Sequence, residues 1–578
     1  MMTASNANSA AFDNGADHGR IWTPRRAAVI IGVSLVLAIC WQVDDVRLTT
    51  LIQPATLRAL WTFLYGLFPP DFSPGFLRIV FHALVSTMAT AIAGTILSVL
   101  IAVPLGALGT PILWRRGILL AGENRNWFVA LQSFASRTVL ALLGFLRAIP
   151  DLVWGLLFVT AVGLGSLAGA LALAVAYAGV LGRVYADVFG DVDPRPLEAL
   201  QAMGATRAQI FLRGIWPQAL PNVTAYTLYS FECCVRAASV LGFVGAGGIG
   251  YEISLSMRLF EYRQVMTLIL AFVLLLFLTD IVSRRLRTRL GPNAGSLRKQ
   301  QWFNGESFVW RTAGYAVLVA IAGTSFYFTG FSPDHFGEAN ILKNMLRFCR
   351  GMFPLDFAKG FVLSLPPLLM QTLAISILGS LMGVVIGGIL AIPATSTLVL
   401  VHPDSPGSRS QAKRGLRWSI YWAARLLLNL LRSIPDLVWV LVCILVVGIG
   451  PFAGTLAIGL HTAGVLGKLY AETLEEVPVQ PVEALRALGA GPLQLLAWAL
   501  WPQAKRTLGS YTVLRWETNL RVSAILGLVG GGGLGQAIYN NLQLGFYSRL
   551  ATLLLLVYLL VIASDWIGDT VSRRTVGV

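Results

Sequence analysis

Long, almost unbroken apolar runs recur along the chain, as in LILAFVLLLFL (Leu268 to Leu278) and ATLLLLVYLLVIA (Ala551 to Ala563). A helix of about 20 mostly apolar residues spans the hydrocarbon core of a bilayer. The pattern predicts spans near residues 27–43, 77–108, 137–163, 166–189, 218–244 and 264–283. A second set falls near 312–330, 361–394, 420–448, 452–474, 503–529 and 549–567. The fold class expected is an all-α polytopic membrane protein with about 12 transmembrane helices.

The second set copies the first at an offset of 285 residues. RAIPDLVW (Arg147 to Trp154) returns as RSIPDLVW (Arg432 to Trp439), and FPPDF at Phe68 returns as FPLDF at Phe353. AGVLGRVYAD at Ala178 matches AGVLGKLYAE at Ala463, and WPQA occurs at Trp216 and Trp501. VLGFVGAGGIG ends at Gly250 where ILGLVGGGGLG ends at Gly535. Such self-similarity marks a repeat architecture. We expect a polar tail over 1–24, a first domain over 25–290, a linker over 291–310 and a second domain over 311–578. Six spans return the chain to its starting side, so the halves form parallel repeats about an axis along the membrane normal.

Composition sharpens this. The chain is 56% hydrophobic and 12% charged, with mean hydropathy +0.70. That charged fraction is about half of what soluble domains carry. The net charge of +16 has a membrane explanation, because base gathers in cytoplasmic loops. No aromatic-interleaved basic module is present, so no nucleic-acid partner is expected. Base is dense in the linker (Arg284, Arg285, Arg287, Arg289, Arg298, Lys299) and after the second span of each half (Arg115, Arg116, Arg125; Arg409, Lys413, Arg414, Arg417). That places both termini and the linker in the cytoplasm of an inner-membrane protein. The five Cys and five His show no metal or disulfide spacing. Arg25-Arg26 followed by apolar residues resembles a signal peptide without a small-residue cleavage site, so an uncleaved first helix is expected.

Between spans four and five lies PLEALQAMGATRAQIFLRGIWPQALP (Pro196 to Pro221), copied as PVEALRALGAGPLQLLAWALWPQA (Pro481 to Ala504). Each reads as a helix, a glycine turn and a second helix. Pro196 suits a first helical position, Gly204 a left-handed cap, and Thr206 with Gln209 a capping box. Glu198, Ala199, Leu200, Gly204 and Pro217 resemble the EAA loop of binding-protein-dependent ABC import permeases; so do Glu483, Ala484, Leu485, Gly489 and Pro502. Leu replaces the second Ala of the motif in both copies. With RAIPDLVW, VGAGGIG and FPPDF, nearly all of both halves looks like the phosphonate ABC transporter permease; methionine-type importers share some of these elements. The resemblance implies a type I importer permease fold, with two permease domains fused. It implies that Glu198, Ala199, Gly204, Glu483, Ala484 and Gly489 couple to two separate ATP-binding cassette subunits. It also implies a periplasmic or lipid-anchored phosphonate-binding protein. No GxxxxGK[ST] occurs in the chain, so ATP and Mg are expected on the partners. Neither is there a Ser/His/Asp or Cys/His arrangement that would make it an enzyme.

Ionisable residues inside a membrane are functional candidates. Glu232 and Arg236, and Glu517 and Arg521, stand four apart in span five; Arg147 and Asp151, and Arg432 and Asp436, stand four apart in span three. Two readings stay open: mutual neutralisation that only packs helices, or a polar track for an oxyanion. The glycines Gly245, Gly247 and Gly248, with Gly530, Gly532 and Gly533, end span five and are read as a break or close helix crossing at an outer gate. Pro150 and Pro435 should kink their helices. The rivals are a permease for phosphate, phosphite or an amino acid, an ion-coupled secondary transporter, and a membrane-embedded enzyme.

Cysteines placed between Arg284 and Lys299 should react with membrane-impermeant reagents only from the cytoplasmic side. Labelling of intact cells from outside would overturn the six-plus-six topology.

Overall fold

The computed structural model describes residues 24–110, 126–290, 316, 319–331, 339–399 and 409–576, which form helices joined by short turns, with no strand among them. The expected tail, the linker and the basic loops after the second spans lie wholly or mostly outside these residues. The first half runs α1 (Pro24–Val43), α2 (Pro54–Gly66), α3 (Pro74–Gly109), α4 (Asn126–Ala148), α5 (Asp151–Val162) and α6 (Ser166–Gly190). Then come α7 (Pro194–Ala202), α8 (Arg207–Ala246), α9 (Gly248–Arg258) and α10 (Tyr262–Leu290). The second half repeats the series: α11 (Val319–Phe328), α12 (Ala339–Gly351), α13 (Lys359–Ala394), α14 (Arg409–Ser433) and α15 (Asp436–Val447). It closes with α16 (Pro451–Glu475), α17 (Val479–Ala487), α18 (Pro492–Val529), α19 (Gly533–Gln543) and α20 (Tyr547–Val576). Seven described helices are long and apolar enough to cross a membrane, ten if each bent pair counts as one, and α1 and α11 supply shorter apolar helices at the two remaining expected spans.

Small residues set the packing. Helix association in lipid relies on close contact rather than on expulsion of water, which favours Gly, Ala and Ser at crossings. In α3 and α6, Ala91, Ala93, Ala168, Ala170 and Ala172 are buried, and a Cβ on Gly94 would meet Leu173 at 2.7 Å. The duplicated AGVLG segment has the same explanation. A Cβ on Gly179 would lie 2.6 Å from the Arg147 backbone nitrogen, and one on Gly464 would lie 2.5 Å from that of Arg432.

The FP-x-DF motif starts the long helices α3 and α13. Asp71 accepts from the Ser73 amide at 2.9 Å and Asp356 from the Ala358 amide at 2.8 Å. Those amide bonds hold both carboxyls below their ordinary pKa, with Arg263 and Arg549 assisting. Thr267 and Thr552 donate to the Asp71 and Asp356 carbonyls, tying α10 and α20 to the same corners.

The halves are interlocked. Leu37, Cys40 and Val43 of α1 pack with Ala374 and Leu378 of α13 in the other half. Helix α2 lies against α15, where Phe63 and Val438 share one core, and α12 lies reciprocally against α5. Phe145 of α4 stands edge-on to Tyr558 of α20 at 5.2 Å.

Two glycines 35 positions apart in the first half give opposite expectations. Gly179→Ala should destabilise by roughly 1–3 kcal/mol, since its new methyl meets backbone atoms. Gly144→Ala, mid-helix with nothing within 4 Å of the new Cβ, should stabilise by about 0.5–1 kcal/mol. Thermal unfolding of the detergent-solubilised chain monitors both; a gain for Gly179→Ala would refute the packing of α4 on α6.

Candidate functional site

The repeated octapeptide is a corner. Helix α4 stops at Ala148 and α5 leaves at 87°; α14 and α15 meet at 96°. Proline at the break offers no amide, and a helix end frees carbonyls that lipid cannot satisfy. The tryptophan eight residues on repairs this: Trp154 Nε1 donates to the Leu146 carbonyl at 3.4 Å and Trp439 Nε1 to that of Leu431 at 3.1 Å. The kink expected at Pro150 and Pro435 is thus a near right angle. The expected four-apart alignments Arg147/Asp151 and Arg432/Asp436 do not form pairs, because the break puts their members on different helices.

Exposed Arg147 instead reaches the opposite half and donates to Asp565 of α20 at 3.4 Å. Asp565 also accepts from Arg521 at 2.9 Å, and Arg521 bonds Glu517. A chain Glu517–Arg521–Asp565–Arg147 therefore ties α18 and α20 to α4. The expected Glu517/Arg521 pair is present. Its counterpart Glu232/Arg236 is not: Glu232, with a side chain only 9% exposed, takes Arg287 at 2.6 Å, and Asp280 takes Arg284 at 2.5 Å. The last span explains the difference. Arg284 and Arg287 correspond to Asp569 and Ser572 in the repeat, so at these two positions the first half alone has base to capture its carboxylates. Arg236 is left exposed and without an ion pair among the described residues. Exposed Arg432 bonds Asn429 (3.3 Å) among the described residues, within electrostatic range of Arg236.

The second half holds a polar thread that motif reading missed. Asn519 donates to Ser380 at 2.8 Å and accepts from Thr462 at 3.1 Å; Arg515 Nε lies 3.4 Å from Thr462 Oγ1. A terminal nitrogen of Arg515 is buried without a hydrogen-bond partner, as is Asp436 Oδ1. His461 Nδ1 lies 3.0 Å from the Ile434 carbonyl and 3.5 Å from Asp436. The first-half equivalents are Thr95, Ala176, Tyr177, Ser230 and Cys234. Asp151, the partner of Asp436 in the repeat, accepts from the Leu152 amide at 3.0 Å. Reading the repeats for their differences exposes this thread; motif searching finds only their identities. Arg236 from one half thus lies within electrostatic range of Arg432 and His461 from the other, and Arg515 within range of His461 and Asp436. Unpaired guanidinium donors at a joint can hold a tetrahedral oxyanion.

The hairpins are as expected in outline. Helix α7 begins two residues earlier than Pro196 predicted. Asp193 is its cap, accepting from the Arg195 amide at 3.1 Å, with Pro194 in the first turn. Gly204 and Gly489 turn the chain at φ 79° and 82°, left-handed backbone that glycine adopts without strain. Thr206 and Gln209 form the reciprocal capping box. Leu197 and Val482 face inward and pin each hairpin to its neighbour, while Glu198, Ala199, Glu483 and Ala484 are exposed. Met203, Leu488 and Trp498 are each about three-quarters or more exposed, an apolar surface of the kind that marks a protein contact. The second hairpin helix is not separate from span five. It continues into it through a π-turn, Phe211–Ile215 or Leu496–Leu500, just before Pro217 or Pro502. The second helix of each hairpin and the span-five arginine of the same half therefore share one continuous helix.

The glycine runs are close crossings. A Cβ on Gly250 would sit 1.7 Å from the Ser239 carbonyl oxygen, and Gly248, at φ 73°, lies against Thr87. Thr87 accepts from the Ile249 amide at 2.8 Å; Thr372 and Gln371 accept from Leu534 and Gly533. Gly245 (φ 102°) and Gly530 (φ 102°) reverse the chain, with Gly247 and Gly532 also left-handed. These turns pack α9 and α19 back onto α8 and α18.

Comparison with known proteins places these features. The family model described as "Binding-protein-dependent transport system inner membrane component" matches residues 116–294 and 407–577, together more than half the chain. The phosphate-import permease protein PhnE of Mycolicibacterium smegmatis is 28% identical, with 85% of each chain covered. The phosphite transport system permease protein PtxC of Stutzerimonas stutzeri is 34% identical over 46% of this chain and 90% of its own. A solved structure of the MetNI methionine ABC transporter, inward facing, aligns with 26% identity over 38% of this chain and 99% of that chain, with TM-score 0.32.

Glu232 distinguishes its two candidate partners experimentally. Arg287→Met should cost on the order of 3 kcal/mol by stranding a buried carboxylate, and Glu232→Gln added to it should recover most of the loss. Arg236→Met should change thermal stability by less than about 0.5 kcal/mol. Equal losses from Arg236→Met and Arg287→Met would contradict the asymmetric pairing.

Proposed function

Because the chain belongs to the binding-protein-dependent transport system inner membrane components, as an ABC import permease carrying that domain twice, we propose that it carries phosphonates or related phosphorus oxyanions through the membrane. Two ATPase subunits, binding ATP and Mg, dock on the hairpins at Glu198–Gly204 and Glu483–Gly489. A binding protein delivers substrate to the opposite face. Both termini and the linker are cytoplasmic. The chain itself catalyses no reaction.

The observation that carries the substrate class is the set of arginines at the joint: Arg236 near Arg432, and Arg515 with a terminal nitrogen buried and without a hydrogen-bond partner. A phosphorus oxyanion offers several oxygens to planar, permanently charged donors. The locus draws side chains from both halves, so opening the joint weakens it. At an effective dielectric of about 20, one charge pair falls from about 4 to about 2 kcal/mol as separation grows from about 4 to about 8 Å. A movement of a few ångströms thus switches the site between holding and releasing an anion. The names of the phosphate and phosphite relatives support the same class. Helices α8 and α18, continuous from hairpin to locus, would carry that movement from the ATPases. The glycine turns at Gly245–Gly248 and Gly530–Gly533 close the opposite end.

The test is ATP hydrolysis and uptake by the assembled complex in proteoliposomes, with methylphosphonate, phosphite, phosphate or methionine on its binding protein. A phosphorus oxyanion should stimulate hydrolysis several-fold. Arg515→Met should lower uptake at least about tenfold, the loss of one charged hydrogen-bond donor, with basal hydrolysis intact. Stimulation by methionine alone would reject the substrate class.

A further inference from the structure

An apolar cavity lies at the joint between the halves. Its volume is about 450 Å³. Phe145, Trp154 and Phe158 from the first half face Met345, Phe348 and Leu554 from the second. The wall is almost purely apolar. Sites for small polar ligands carry a few convergent polar groups that fix orientation, and this one has none. An oxyanion has no place in it.

The polar groups stand on the other side of the helix that walls it. Helix α12 supplies Met345, Phe348 and Cys349 to the wall, and on its outer face carries Lys343, Arg347 and Arg350. Spacings of four and three put these on one stripe. All three are exposed, and none has an ion pair among the described residues. The stripe lies at the membrane face opposite the hairpins, since α12 meets the start of α20 through Phe348 and Tyr547, ring centroids 4.9 Å apart. The bases closing α10 lie at the hairpin face. The first-half positions equivalent to the stripe are Arg58, Thr62 and Tyr65, so the repeat alone does not require it. A helix with an apolar face toward a groove and cations on the other side is the arrangement that lies in a headgroup layer.

We propose that this groove holds one acyl chain of an anionic phospholipid, with the headgroup phosphate on Lys343, Arg347 and Arg350. Apolar burial alone gives little preference over bulk lipid, because lipid tails are as apolar as the wall. Selectivity therefore resides in the basic stripe, roughly fivefold per side chain and on the order of a hundredfold for three. The chain wedges α5 of one half against α12 and α20 of the other, at the joint that transport must flex.

The experiment reconstitutes the full chain in nanodiscs with equal phosphatidylglycerol and phosphatidylcholine of identical acyl chains. Lipid retained after detergent extraction and delipidation is counted by native mass spectrometry. The wild type should keep one phosphatidylglycerol, in large excess over phosphatidylcholine. Ala161→Phe, which fills the groove, should release both lipids. Lys343→Gln with Arg347→Gln and Arg350→Gln, at exposed positions that leave folding unaffected, should reduce the headgroup preference to near unity. Absence of retained lipid, equal retention of the two headgroups by the wild type, or an unchanged preference in the triple variant overturns the proposal. If Ala161→Phe does not assemble, the triple variant and the wild-type comparison decide it.

Discussion

A helix cannot be broken inside a bilayer unless the carbonyls it frees find donors. This constraint shapes the corners at Ile149-Pro150 and Ile434-Pro435. Each break is tolerated because a tryptophan indole returns to a carbonyl of the preceding helix, Trp154 to Leu146 and Trp439 to Leu431. The corner then has to be held close to a neighbour, and Gly179 and Gly464 allow that approach. Only with the corner in place do Arg147 and Arg432 project toward the other half. The conspicuous residues of RAIPDLVW thus divide the work, since the proline breaks the helix, the tryptophan repairs the break, and the arginine reaches across.

On this twofold scaffold the site is not twofold. The corners, hairpins, glycine turns and FP-x-DF starts agree between halves. The buried charges do not. Arg284 and Arg287 capture the carboxylates of the first half, while Asp565 and Glu517 hold Arg521 in the second. Arg515, His461 and Asn519 stand where the first half has Ser230, Ala176 and Cys234. Duplication and fusion free each half to diverge, because a change in one copy is no longer imposed on the other. The cationic locus draws one arginine from the first half and the remaining groups from the second.

Mechanical continuity joins this locus to the hairpins. Gly204 and Gly489 reverse the chain once, and beyond them α8 and α18 run without interruption past Arg236 and Arg521. The π-turns before Pro217 and Pro502 let the helix pass a residue that cannot donate. The second helix of each hairpin and the span-five arginines therefore belong to one continuous element in each half.

The sequence by itself determined the class, the repeat, the hairpins and nearly every span, since each rests on local signals: length of an apolar run, a capping box, a left-handed glycine. Glu517 with Arg521 was legible as well, because four residues on an unbroken helix share a face. Arg147 with Asp151 was misread for the same reason in reverse, as the break between them removes the shared face. Glu232 with Arg236 was misread because Arg287, 55 positions away, lies closer in space than in sequence. The reach of Arg147 to Asp565, the approach of Arg236 to Arg432, and the groove beneath α12 belong to tertiary structure alone. Each depends on which helices the two halves place side by side, and electrostatic partners are chosen by distance through space.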